Sequence, residues 1–228
     1  MSGLERALYQ LNISITPDQL AQFERYQALL LEWNERVNLT RITDPDDIAC
    51  KHFADSLLPL RHIPPGSRCI DVGSGAGFPG IPIAIMSSIE LTLLDSQRKR
   101  TDFLRAAAEH VGVQASVVQS RAEDAAHTAL RESFDIVLSR AVAPAPVLAE
   151  YLLPFCKVGG LCLVYKGKEG RGEIVGAQKA ITTLGGKIGQ IDEYALPWGS
   201  RTIACIAKRS PTRPLYPRKA GTPAKSPL

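Results

Sequence analysis

Residues 69–82 read CIDVGSGAGFPGIP. A short apolar run enters, Asp71 stands two residues ahead of the first glycine, and glycines follow at 73, 75, 77 and 80. Four glycines within eight residues mark a backbone that turns tightly and lets another group come close to it. A strand leading into such a turn and a helix leading out form the first βα unit of a doubly wound sheet. Ligands there bind at the carboxyl ends of the strands, beside the point where strand order reverses.

The chain beyond residue 68 supports that topology. Apolar runs CIDV, IELTLLD, ASVVQS, FDIVLSR and GGLCLVYKG alternate with segments of helical character, the pattern of a parallel sheet covered on both faces. Two further runs, KIGQIDEYAL and RTIACIAK, are separated by PWGS alone. That link suits an antiparallel hairpin and is too short for a crossover. The fold expected is α/β: a seven-stranded Rossmann-like sheet with a C-terminal antiparallel hairpin and an N-terminal helical extension.

In the extension, Thr16 and Gln19 form a capping box with Pro17 at the first helical position, and Leu20, Phe23, Leu30, Trp33 and Val37 recur at helical spacing. Asp44 and Pro45 repeat the start signal for a helix through DPDDIACKHFADSLL. Three regions are expected: helices over 1–65, a ligand-binding core over 66–208, and a tail over 209–228. The tail carries prolines that bar a helix or central strand. From Lys208 onward there are six basic residues and no acid, leaving 21 basic against 23 acidic residues before it. The basicity therefore belongs to the tail. It is read either as a solvated terminus or as an arm that orders on a polyanion.

Several classes fall away. No apolar stretch approaches the length of a membrane span, and the first residues lack the apolar core of a signal peptide, so a cytoplasmic protein is expected. The five cysteines (50, 69, 156, 162, 205) form no CxxC pair, and the four histidines have no metal-ligand spacing. We expect reduced structural thiols and no metal.

The glycine loop selects the ligand. Gly75, Gly77 and Gly80 satisfy the dinucleotide pattern GxGxxG, but Asp71 lies where a pyrophosphate would be repelled, and Pro79 and Pro82 crowd the helix start. S-adenosylmethionine fits better, since it carries no phosphate and presents a sulfonium and an ammonium that Asp71 could face directly or through water. Asp95 ends the second strand, 22 residues after Gly73, where an acid accepts hydrogen bonds from ribose hydroxyls; the alternative is an N-cap for the next helix. Ala122 and Glu123, after the third strand, could meet the adenine edge, or Glu123 could simply start a helix.

The fourth strand ends in SRAVAP, with neither the (N/D)PP(Y/F) signature of enzymes that methylate exocyclic amines nor the Pro-Cys of those that methylate cytosine carbon. An acceptor with its own lone pair needs neither, and guanine N7 is such an atom. Transfer to it requires positioning rather than a general base, so no catalytic base is assigned. Arg140 is the positioning candidate, on the cofactor's carboxylate in a bidentate pair or on the guanine.

Together NLT at 38–40, KHFADSL at 51–57, DVGSGAGFPGIP at 71–82, LLDSQRKRTDFL at 93–104, SRAE at 120–123, FDIVLSRAVA at 134–143, KG at 166–167 and YPRKAGTPAKSPL at 216–228 resemble the RsmG (GidB) family of bacterial small-subunit rRNA methyltransferases. The resemblance implies a class I fold and N7 methylation of one guanine of 16S rRNA, conventionally position 527. It also implies cofactor contacts at Gly73, Phe78, Ala122, Glu123 and Arg140. It suggests Asn38, His52 and Asp55 in the guanine pocket, against a capping Asn and a packed His. Lys166 could meet phosphate, and Arg218 and Lys219 in the tail could hold RNA. The expected partner is 16S rRNA or the small ribosomal subunit, bound by a monomer. A non-catalytic assembly factor with the same fold, a methyltransferase for another acceptor, and an NAD-binding oxidoreductase are the competing readings.

Overall fold

The computed structural model describes residues 1–140 and 142–228; Ala141, inside the SRAVAP run, lies outside the described residues. Seven strands form one sheet: β1 (Arg68–Val72), β2 (Glu90–Asp95), β3 (Ala115–Gln119), β4 (Phe134–Arg140), β5 (Cys156–Lys166), β6 (Gly186–Leu196) and β7 (Gly199–Lys208). Their order is β3-β2-β1-β4-β5-β7-β6. The first five are parallel and the β6–β7 hairpin is antiparallel, the fold the sequence leads one to expect. Strand order reverses between β1 and β4, which places the switch point at the glycine turn after β1.

The N-terminal extension opens with α1 (Gly3–Gln10), whose Ser2–Glu5 capping box is legible in the sequence though not used above. In α2 (Pro17–Val37) the Thr16–Gln19 box forms as expected. Asp44 caps α3 (Pro45–Ile48), but the helix then widens into a π turn over Ala49–Ala54 rather than running on as an α-helix. Such bulges cluster at functional sites because they re-aim one side chain without ending the helix; here the turn carries His52.

Around the sheet lie α4 (Gly80–Met86), α5 (Arg98–Val111), α6 (Ala122–Ala125), α7 (Ala145–Leu152), α8 (Gly170–Gly176) and α9 (Gln178–Thr183). The extension shares one apolar core with a face of the sheet: Leu8, Phe23, Tyr26 and Leu30 pack in the same cluster as Phe53, Ile81, Leu93, Phe103 and Leu163. Tyr26 is fully buried and its hydroxyl donates to Ala76 O at 2.5 Å. It thereby ties α2 to the glycine turn.

The tail departs from the reading as a solvated terminus. It folds back onto the core and ends in a short helix, α10 (Thr222–Lys225), with Pro223 tolerated in its first turn. Arg131 donates to the carbonyls of Thr212 and Tyr216, and His127 Nε2 lies 2.9 Å from Pro217 O. Arg218 forks Glu150, whose side chain is fully buried, through Nε–Oε1 (3.0 Å) and Nη2–Oε2 (2.7 Å). Lys208 is buried against Glu132 at 2.9 Å. Two of the six cations are thus spent inside the protein, and Arg209, Arg213, Lys219 and Lys225 remain exposed. Among the described residues no helix is long and apolar enough to cross a membrane.

Candidate active site

The carboxyl ends of β1 to β4 open onto a cleft of about 400 Å³. Its floor is the glycine turn. Gly73 has φ +75° and Gly75 φ +57°, a region that side chains disfavour. A Cβ on Gly73 would sit 2.6 Å from Val142 Cγ2, so a residue there would wedge the turn away from the next loop. The turn is braced by Gly73 N–H to Leu94 O at 2.8 Å and by Gly75 N–H to Asp95 Oδ2 at 3.0 Å.

Asp71 is not in the cleft wall. It is fully buried beneath the turn, where Oδ2 accepts the Gly80 N–H at 2.9 Å. Oδ1 is buried without a hydrogen-bond partner among the described residues. Burial pushes this carboxyl up to about 7, against the opposing pull of the Gly80 N–H and Arg140. The expectation that Asp71 meets the ligand's positive end is therefore replaced by a role as clamp of the α4 start.

Asp95, from the end of β2, does line the cleft and is 4% exposed. It accepts from Gly75 N and from Gln97 N (2.9 Å), with Arg100 Nη1 3.5 Å away. Asp95 is therefore not the N-cap of α5, a position held by Gln97, and a carboxylate with about four acceptor positions keeps capacity to accept from a ligand. Ala122 and Glu123 open α6 and line the same side. Glu123 Oε1 accepts the N–H of Gly221 from the tail at 3.0 Å. Tyr151 on α7, which the sequence reading missed, lines the cleft as well, and burial first, then the nearby Glu123 carboxylate, raises its hydroxyl pKa.

Arg140 ends β4 and reaches the π turn. Its Nη1 donates to Lys51 O at 3.1 Å and its Nη2 lies 3.0 Å from His52 Nδ1. The guanidinium carbon stands 5.1 Å over the Phe78 ring, which stacks on His52 at 4.5 Å between centroids. Burial first, then the Arg140 charge, draws the His52 pKa down to about 3, so the imidazole is neutral at physiological pH. Its Nε2 lies 2.7 Å from Thr40 Oγ1. Gly73, Phe78, Asp95, Ala122, Glu123, Arg140 and His52 are thus brought into one cleft.

Other candidates lie elsewhere. Asn38 is the exposed, left-handed C-cap of α2 (φ 52°) and does not line the cleft; within NLT it is Thr40 and Leu39 that do. Asp55 is buried between Trp198 Nε1 (2.7 Å) and Arg201 Nε (2.5 Å). Lys166 is half-buried, donating to Glu173 Oε1 and Ala143 O at 2.7 and 2.8 Å. Arg218 is held by Glu150, while Lys219 is exposed. Away from the cleft, His62, Asp192 and Cys205 bring three ligand-type atoms within 4.8 Å of one another, a grouping the histidine spacing does not betray. Arg61 Nη2 already occupies the Asp192 carboxylate at 2.7 Å.

Two carboxylates, Asp95 and Glu123, face the cleft; they suit the hydroxyl and amino groups of a nucleoside, which S-adenosylmethionine carries.

The family model described as rRNA small subunit methyltransferase G, GidB, matches residues 19–198. A ribosomal RNA small subunit methyltransferase G of Desulfitobacterium hafniense is 46% identical over 224 residues, covering 96% of this chain and 93% of that one. The enzyme of the same name from Moorella thermoacetica is 44% identical over 223 residues, covering 95% and 93%. Among solved structures, P. horikoshii TYW2 in complex with MeSAdo superposes with a TM-score of 0.56 at 13% identity, covering 68% of this chain and 61% of that one. MtNAS in complex with MTA and tNA gives 0.57 at 12%, covering 81% and 71%. These two share the fold. With the glycine turn, the acidic wall of Asp95 and Glu123 and the Arg140–His52 pair gathered at the carboxyl ends of the strands, and with the sequence matched across nearly its whole length, the chain belongs to the rRNA small subunit methyltransferase G (GidB) family.

Proposed function

We propose that the protein transfers the methyl group of S-adenosylmethionine to N7 of one guanine of 16S rRNA, conventionally position 527, acting in the cytoplasm as a monomer on the rRNA or the small ribosomal subunit. The observation that carries the choice of atom is the state of the lone imidazole in the cleft. Both nitrogens of His52 are engaged and its pKa lies near 3, so it is already a spent acceptor rather than a base waiting for a proton. An acceptor nitrogen that must lose a proton would find no remover there; N7 has none to lose.

S-adenosylmethionine supplies an electrophilic methyl group on a sulfonium. Once bound, it would offer that methyl to the N7 lone pair, with the electron pair of the broken S–C bond kept by sulfur and no proton to be moved by the protein. The chain's work is placement. Gly73 and Gly75 let the backbone approach the cofactor, Asp95 and Glu123 accept from its sugar and base, and Arg140 is held rigid by Lys51 O and His52. Arg140 is also available to a carboxylate or a purine edge. The exposed large apolar side chains (Met1, Tyr9, Val142, Val158, Val175 and Leu215) lie on separate segments, which supports the monomer.

The test is incubation with methyl-labelled S-adenosylmethionine and either 16S rRNA or 30S particles, followed by N7-specific strand cleavage. One cleavage at a guanine is expected. Incorporation at another atom would overturn the acceptor, and binding without incorporation would leave an assembly factor.

A further inference from the structure

Thr40 stands in the cleft wall with its acceptor capacity used up. Its N–H donates to Asn34 Oδ1 at 2.9 Å, which fixes the residue after the left-handed turn at Asn38. Its hydroxyl oxygen accepts the N–H of Ile42 at 3.1 Å and lies 2.7 Å from His52 Nε2. Which partner donates in that second contact is decided one step back. A guanidinium carries donors only, so His52 Nδ1 must accept from Arg140 Nη2. A neutral imidazole then has its one hydrogen on Nε2, aimed at Thr40 Oγ1. With two N–H groups on its two lone pairs, the hydroxyl has only its own hydrogen left to offer. Among the described residues that hydrogen has no acceptor, and Thr40 lines the cleft.

The position assigns the ligand atom. Across the sheet, Glu123 follows β3 and Asp95 ends β2, while Arg140 ends β4 on the opposite side of β1. Thr40 reaches the cleft through His52 and Arg140, so it stands at the methyl-accepting end. We propose that Thr40 selects the acceptor base, as a fixed hydrogen-bond donor to the 6-carbonyl of guanine. The inference rests on the acceptor proposed above. Guanine presents O6 and N7 side by side as acceptors, whereas adenine presents an amino group at the 6-position. A freely rotating hydroxyl would suit either base, because it can donate or accept. The Arg140–His52 pair removes that freedom, and a 6-amino group would meet hydrogen against hydrogen. Holding O6 also leaves the neighbouring N7 lone pair uncovered.

The test uses 30S particles whose 16S rRNA carries guanosine, inosine or 2,6-diaminopurine riboside at the target position. Inosine keeps O6, and diaminopurine replaces it with an amino group. The wild type should methylate guanosine and inosine and discriminate against diaminopurine. Thr40→Val should lose about 10- to 100-fold in kcat/KM on guanosine, the range for one hydrogen bond and its stranded partner. Its discrimination against diaminopurine should shrink, an effect a merely structural role would not produce. Thr40→Ser, which keeps the donor, should retain both rate and discrimination. Calorimetry with S-adenosylhomocysteine should show wild-type affinity for both variants. A folded Thr40→Val enzyme with wild-type rate and discrimination would overturn the inference, as would a loss of S-adenosylhomocysteine affinity equal to the loss in rate, which would put the hydroxyl on the cofactor. Absence of transfer to guanosine by the wild type would instead remove the proposed acceptor.

Discussion

Arg218→Ala should destabilise the protein far more than an ordinary change in a basic tail. Glu150 is fully buried on α7, and Arg218 meets it with three side-chain hydrogen bonds, Nε being shared between both oxygens, and a fourth from its own backbone N–H at 2.7 Å. Removing the guanidinium strands a carboxylate in the interior with only the backbone donor left. Breaking one side of a buried pair costs about 3–5 kcal/mol; the surviving N–H favours the lower end, about 3 kcal/mol. With a urea dependence of about 2 kcal/mol per M, the unfolding midpoint should fall by about 1.5 M at unchanged slope. Adding Glu150→Ala to Arg218→Ala should cost little more or recover stability, because the stranded charge then disappears. Since Gly221, three residues on, donates to Glu123 in the cleft, the single variant should also weaken S-adenosylhomocysteine binding. Urea melts followed by far-UV dichroism, with calorimetry on the folded variants, measure both effects. A midpoint within about 0.3 M of wild type, or about 0.6 kcal/mol at that slope, would show that the tail is not held as the structure has it.

Gly73→Val should abolish cofactor binding while the fold survives, because the new side chain meets Val142 and adopts an unfavourable φ; a folded variant with wild-type affinity by calorimetry contradicts this. Asp95→Ala should weaken S-adenosylmethionine binding by about 1.5–3 kcal/mol, the worth of hydrogen bonds to a charged group, and NADH should not compete; micromolar NADH binding would revive the oxidoreductase reading. The single-turnover rate should be nearly flat between about pH 7 and 9, as no general base titrates there; a slope of one in log rate would refute it. Stability, in contrast, should fall as pH drops below 6.5 toward 3, since the unfolded chain protonates His52 across that window and the folded one does not; His52 Nε2 shifts followed by NMR should stay those of a neutral ring at pH 5.

All seven strands could be read from local pattern, because each is a short apolar run bounded by turn residues, and the PWGS link alone set the hairpin antiparallel. Thr16 and Asp44 announced their helices through contacts within three residues. What failed to show was pairing at long range. Nothing near Arg218 signals Glu150, 68 residues away, so a run of cations looks available when two, Lys208 and Arg218, are already committed. Lys166 was likewise read without Glu173. Within NLT the family resemblance points to Asn38 rather than Thr40. Yet the chain spends Asn38 on a left-handed turn, and the role of Thr40 emerges only once the π turn has swung His52 against it. Asp71 was placed correctly ahead of the glycines but on the wrong side of them, a distinction between strand faces that only tertiary packing settles.

The bond from Tyr26 to Ala76, together with the apolar cluster shared by α2 and the sheet, bears on modularity. A helical extension invites grafting or removal, as though it were an accessory. Here the wall of the glycine turn is partly made by it: a Cβ at Gly77 would collide with the Tyr26 hydroxyl, so loop and helix are cut to each other's shape. Residues 1–65 and 66–228 are accordingly two halves of one object rather than a catalytic unit and its attachment. Produced as separate fragments, each should expose half an interior, and cofactor binding should return only on mixing them. Exchange of the extension between relatives should succeed only where the glycine turn is carried with it.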